Sequence, residues 1–146
     1  MLLKYLILLH VLGACIWVGG HLVLALSVLP RALKQKSPGI IREFESHYER
    51  IGIPALLVQI LTGLLIAYQY FPVSEWLTFS DRPHIHIGVK LVLLFVTVLL
   101  AVHARFFIIP RLNATNLSQL AWHITAITTV AVLMLFTGLN FRLAII

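Results

Sequence analysis

The sequence predicts an all-α integral membrane protein, with four transmembrane helices in an up-down bundle. Three observations predict it. Hydrophobic residues make up 60% of the 146-residue chain and charged residues only 11%. Mean hydropathy is +0.99, and a soluble domain of this size cannot hide that much apolar surface. Four apolar runs are each long enough to cross roughly 30 Å of hydrocarbon. No water reaches backbone groups there, so runs of this length span as helices.

The first run covers about residues 5–29 and ends at Pro30-Arg31. The second covers about 51–71 and ends at Pro72. The third, about 87–109, ends at Pro110-Arg111, and the fourth covers about 120–141. Residues 1–146 thus read as a single four-helix membrane domain. Between the first two runs, basic Arg31, Lys34, Lys36, Arg42 and Arg50 alternate with Glu43, Glu45 and Glu49. Ile40, Ile41 and Phe44 are interleaved among them, which predicts an interfacial helix leading into the second span. Residues 72–86 read as a loop with Trp76 as aromatic anchor. Residues 110–119 read as a short polar turn, with Asn116 or Ser118 as candidate cap of the last helix.

Charge and cysteine content narrow the function classes. The formal net charge is +6, but the basic residues cluster at the ends of apolar runs, where anionic lipid and the positive-inside rule account for them. No basic stripe is interleaved with aromatics, so nucleic acid is not an expected partner. Cys15 is the single cysteine, so no internal disulfide or CxxC motif is possible. Leu12-Gly13-Ala14-Cys15 resembles a lipoprotein cleavage site. The apolar run before it is very short and the segment stays apolar beyond it, so a retained span is expected. Lys and Arg favour the side of the first and third loops by seven (Arg31, Lys34, Lys36, Arg42, Arg50, Arg105, Arg111) to four (Lys4, Arg82, Lys90, Arg142). That bias predicts both termini on the outer side and the first and third loops in the cytoplasm.

The histidines carry the functional signal. His10 and His21 lie about three helical turns apart on one face, about 16 Å along the axis. An ionisable residue inside a membrane points to a functional site. Taking span midpoints as the bilayer centre, His21, His103 and His123 form one layer roughly 7–10 Å to the inner side. His10 and Lys90 lie roughly 10–11 Å to the outer side, with His84 and His86 shallower. Two axial histidines on facing helices ligate a b-type haem. His21 with His103 or His123 fits an inner haem, and His10 with His86 fits an outer one less well. His86 and His103 are about 100° apart on a regular helix, which argues against both pairs at once. Trp17, Gly13 and Gly20 lie on or near the histidine face, where glycines admit either close helix packing or a flat macrocycle. Gly63 and Gly138 are placed to serve likewise. Arg105 reads as an anchor at the inner end of its span or as partner of a haem propionate.

Plainer roles compete with these. Intramembrane histidines hydrogen-bond across helices, Lys90 can snorkel outward, and His47 sits among charges and reads as solvated. Copper is the competing ligand for His10, His21, His103 and His123, since imidazole suits it. The two methionines and one cysteine provide no soft path for copper(I). No span holds a carboxylate and no HExxH, GxSxG or P-loop pattern occurs, so hydrolytic chemistry has no support.

A family resemblance adds to this reading. His10-Val-Leu-Gly-Ala-Cys-Ile-Trp17-Val-Gly-Gly20, followed by Leu29-Pro30-Arg31, resembles the first span of the copper-resistance D (CopD) membrane domain. Lys90-Leu-Val-Leu-Leu, with Arg105 and Pro110-Arg111, resembles its third. The His-x6-Trp-x-Gly spacing, with Pro54-Ala55 through Gly63-Leu64, is similar to HemJ-type protoporphyrinogen oxidases. The resemblance implies a protein of a bacterial inner membrane, with both termini then on the periplasmic side, and its first part implies copper handling. The second implies His10 as a haem b ligand and Lys90 as a basic residue beside a porphyrin. The later Pro-Arg pair and the added His21, His103 and His123 depart from the HemJ pattern.

The expectation drawn from the sequence is a membrane redox protein binding one or two haem b, with quinone or a redox protein as partner. An oxidoreductase activity, quinone-linked or HemJ-like, and a homo-oligomer are compatible with it. The alternative is a CopD-like copper-binding or copper-transport protein. A cofactor-free accessory subunit is the third reading.

Overall fold

The computed structural model describes residues 1–143, and side chains through Phe141. The side chain of Arg142, counted above, lies outside the described residues. Four helices are long and apolar enough to cross a membrane: α1 (Leu2–Gln35), α2 (Pro38–Tyr70), α3 (Arg82–Arg111) and α4 (Leu117–Leu143). No more than 33% of any span's most apolar window is buried. Leu, Val and Phe side chains cover the outside of the bundle. Such a surface is stable only against lipid, so the chain is an integral membrane protein.

The first loop is almost wholly helical. α1 runs through Pro30 to Gln35, and two residues later α2 starts with Pro38 at its first position, where the missing N–H costs nothing. Lys36 makes the turn with φ 49°, and Ser37 N–H donates to the Ala32 carbonyl at 3.0 Å. This is the left-handed helix end usually given to glycine. The charged residues Glu43, Glu45 and Glu49 therefore lie on the first turns of α2, ahead of its apolar part.

α1 and α3 share a local distortion. Each widens into a π-helical turn, Leu24–Val28 in α1 and Ala104–Ile108 in α3. Each turn follows a histidine (His21, His103) and precedes a Pro-Arg pair. A proline inside a helix removes one hydrogen bond and crowds the carbonyl four residues back. A wider turn relieves that crowding, and such bulges recur at functional sites.

α1 packs along α2 and against α4, while α3 packs along α4. α2 and α3 make little direct contact. The buried core lies toward the end bearing the first and third loops, where Leu24, Leu29, Ala32, Ile41, Ile108, Leu120 and Ile124 meet. Arg42 of α2 donates to the Leu112 carbonyl there, tying the third loop to the bundle. A second cluster, Trp17, Val18, Ile127 and Ala131, fills the middle. The half nearest the chain termini holds a cavity instead.

The loop Phe71–Asp81 is pinned by polar contacts. Trp76 Nε1 donates to the Phe71 carbonyl at 3.0 Å. Asp81 caps α3, accepting the His84 backbone N–H at 3.1 Å. His84 is buried, bonded to Asp81 through Nδ1 and to Glu75 through Nε2. Asn116 immediately precedes α4, where its carbonyl accepts Leu120 N–H at 3.4 Å and its side-chain oxygen accepts Asn113 N–H at 2.8 Å.

Candidate functional site

The structure divides the sequence-predicted site residues into three places. The first is a pair of imidazoles near the end of α3 and the start of α4. His103 Nδ1 and His123 Nε2 are 2.9 Å apart, and the rings stack with centroids 4.9 Å apart. His123 Nδ1–H donates to the Gln119 carbonyl at 3.2 Å. Its Nε2 is then the bare nitrogen, and His103 Nδ1 donates to it. A backbone carbonyl on the far nitrogen is how metal-ligating histidines are held. His103 also stacks on Phe107, in the π-helical turn. The pair faces outward: His103 is exposed and His123 half-buried. Arg105 does not join it. Its Nη2 pairs with Glu49 Oε1 at 3.0 Å, linking α3 to α2.

His21 belongs to a second place, the packing seam of α1. Its Nδ1–H donates to the Trp17 carbonyl at 2.9 Å, and its ring lies 4.3 Å from that of Trp17. Tyr48 meets it edge-on, with centroids 6.1 Å apart. The Tyr48 hydroxyl donates to the Ile16 and Trp17 carbonyls at 3.0 and 3.2 Å. Gly20 is the slot for that ring: a Cβ there would lie 2.1 Å from Tyr48 Cε2. Gly13 faces the α2 backbone, where a Cβ would lie 3.0 Å from the Ala55 carbonyl oxygen. Both glycines serve helix and side-chain packing. The anticipated inner pairing of His21 with His103 or His123 is not assembled, because each of these rings has other partners.

The third place is a cavity of about 510 Å³ in the terminal half of the bundle, bordered by all four helices. His10, His86, Lys90 and Trp17 all line it. His10 Nδ1–H donates to the Gln59 carbonyl at 3.0 Å and lies 3.1 Å from Thr62 Oγ1. His86 Nδ1–H donates to the Arg82 carbonyl at 2.6 Å. Gly63 and Gly138 make room for the basic side chains. A Cβ on Gly63 would lie 3.0 Å from His10 Cε1, and one on Gly138 2.9 Å from Lys90 Nζ.

The histidines stand out in the sequence, but their neighbours do not. Tyr48 lies in a charged stretch that read as interfacial, and Gln59 is a lone polar residue in an apolar run. The exposed His47, bonded to the Glu43 carbonyl at 2.8 Å, stays in the polar first turns of α2. Among the described residues no group of three or more His, Cys, Asp or Glu side chains is arranged to hold a metal.

Fold and site together define a four-helix integral membrane protein with imidazoles set at helix contacts inside the spans. The chain belongs to the family Copper resistance protein D, whose model matches residues 42–139. The match takes in α2 from Arg42, all of α3 and most of α4, and with them His86, Lys90, His103 and His123. α1, with His10 and His21, lies outside it. The likeness to HemJ-type enzymes rests on the short motifs alone. Neither a curated protein nor a solved structure matches the chain.

Proposed function

We propose that this protein handles copper within the membrane, with His103 and His123 as the imidazole donors that take the ion. The observation that carries the reading is their contact: two helices of the matched region bring imidazole nitrogens to 2.9 Å. Among the described residues, no other imidazoles from different helices meet. Imidazole is a good copper ligand. His123 is already oriented through its Nδ1–H, as a ligand is by its outer hydrogen bond. In the metal-free pair one proton sits between the rings. A metal between the rings needs the lone pairs of His103 Nδ1 and His123 Nε2, so binding moves the His103 proton from Nδ1 to its own Nε2 and parts the two facing nitrogens.

The ion is cargo in this reading, and no electron donor, acceptor or quinone is required. The haem expectation draws no support from the family, and neither His21–His103 nor His21–His123 is formed for it. Copper titration of the purified chain, against a chromophoric chelator, tests the proposal. The expected result is about one copper per chain, lost in His103→Ala and in His123→Ala and kept in His47→Ala. Undiminished copper in both variants overturns it. So does a Soret band in protein expressed with adequate haem, which would restore the haem reading.

A further inference from the structure

The cavity in the terminal half of the bundle is separate from the His103–His123 pair and carries its own chemistry. Its wall is apolar except at a few points, and no Asp or Glu lines it. Lys90 brings an ammonium group into this space. Lys90 is half-buried and has no hydrogen-bond or ion-pair partner among the described residues, although a cation drawn even partly away from water is costly without one. Snorkelling does not explain it. The Nζ atom reaches across to the α4 backbone, to within 2.9 Å of where a Gly138 Cβ would stand. A glycine at that position is what lets the head group lie inside the bundle.

Two orphaned polar atoms line the same cavity. Trp17 is only 8% exposed, and its Nε1–H has no acceptor. Gln59 Oε1 is buried without a donor. Buried polar groups are nearly always paired in native structures, so each unpaired one asks for a missing partner. His10 adds Nε2, which has no partner among the described residues, since its Nδ1 is spent on Gln59 and Thr62. The Gln59 amide, turned about its last bond, offers an N–H in place of its oxygen. The volume lies within the range of small-molecule sites, which are mostly apolar with a few convergent polar groups.

The geometry points to a binding site for a lipophilic anion, its apolar body in the cavity and its acidic head at the Lys90 ammonium, with the Trp17 N–H a further donor on the same wall. Charge decides the class: the wall offers a cation and a hydrogen-bond donor, and no carboxylate opposes them. The gap between α2 and α3 leaves room beside the cavity for a long apolar body to enter from the bilayer. The anionic head is a carboxylate or a phosphate, of a free amphiphile or of a bilayer lipid.

The test uses the full chain in phosphatidylcholine nanodiscs with 11-(dansylamino)undecanoic acid, and its methyl ester as the uncharged control. Saturable binding of the acid is expected, weakened about tenfold or more by Lys90→Met and restored by Lys90→Arg. The ester should bind weakly and ignore the Lys90 substitutions. Trp17→Phe keeps the ring and removes the N–H, and weakens the acid several-fold even if Lys90→Met fails to fold. Nanodiscs doped with phosphatidylglycerol distinguish the sources. Displacement of the probe assigns the site to a bilayer lipid phosphate, and no displacement assigns it to a free carboxylate. Non-saturable binding, or equal binding of the acid to wild type and both variants, overturns the inference.

Discussion

At the scale of single residues, the sharpest constraint is the key formed by Tyr48 and Gly20. The ring enters a gap that exists only because Gly20 has no side chain, and its hydroxyl bonds two carbonyls of α1. Gly20→Ala forces the ring out. Overpacking of this kind costs typically about 1–3 kcal/mol. A lower melting temperature in detergent is expected, recovered in large part by the double variant with Tyr48→Ala. If Gly20→Ala melts with wild type, the slot does not restrain the fold. The sequence made Gly20 visible but not its use, because glycine on a histidine face suits a macrocycle and a tyrosine ring equally well. The histidines divided in the same way. Spacing and depth placed His21, His103 and His123 in one layer, yet which rings meet depends on helix rotation. The π-helical turns after His21 and His103 alter that rotation locally, and no regular-helix projection includes them.

At the scale of elements, the cap of α3 gives a pH-dependent test. Hydrogen bonds from the His84 side chain, then from its backbone N–H, hold the Asp81 carboxyl below the usual carboxylate range. A depressed pKa means that the cap stabilises the fold above the unfolded value, about pH 4. That contribution disappears as pH falls through the depressed value. Asp81→Ala should therefore lower the melting temperature at neutral pH, and the difference from wild type should close on acidification. A pH-independent difference would contradict the cap. The four spans were legible because apolar runs of this length have one solution in a bilayer. The helix ends were less so: α1 runs past Pro30 to Gln35, and the helix expected to lead into the second span is α2 itself, continuous from Pro38. A left-handed Lys36 followed by Pro38 makes the turn in two residues, and lysine gives no sign of that conformation.

At the scale of the molecule, the bundle is packed at one end and hollow at the other. The end with the first and third loops has the core and the His103–His123 pair, and the end with the termini has the cavity. The basic residues favour the packed end by the count given above, which predicts that this end faces the cytoplasm. Fusions at the C-terminus test it: alkaline phosphatase should be active there and green fluorescent protein dark. The opposite pattern would invert the orientation. Neither the cavity nor the gap between α2 and α3 was foreseeable from hydropathy, which reports how apolar a segment is and not which helices leave space between them.

The proposed copper site consists of two imidazoles, His103 and His123, inside the membrane. X-ray absorption at the copper edge, on protein loaded with one equivalent of copper, measures this most directly. Scattering from two imidazole rings per copper is expected, reduced to one in His103→Ala or in His123→Ala. Copper coordinated without imidazole, or a spectrum unchanged in the double variant, would contradict it.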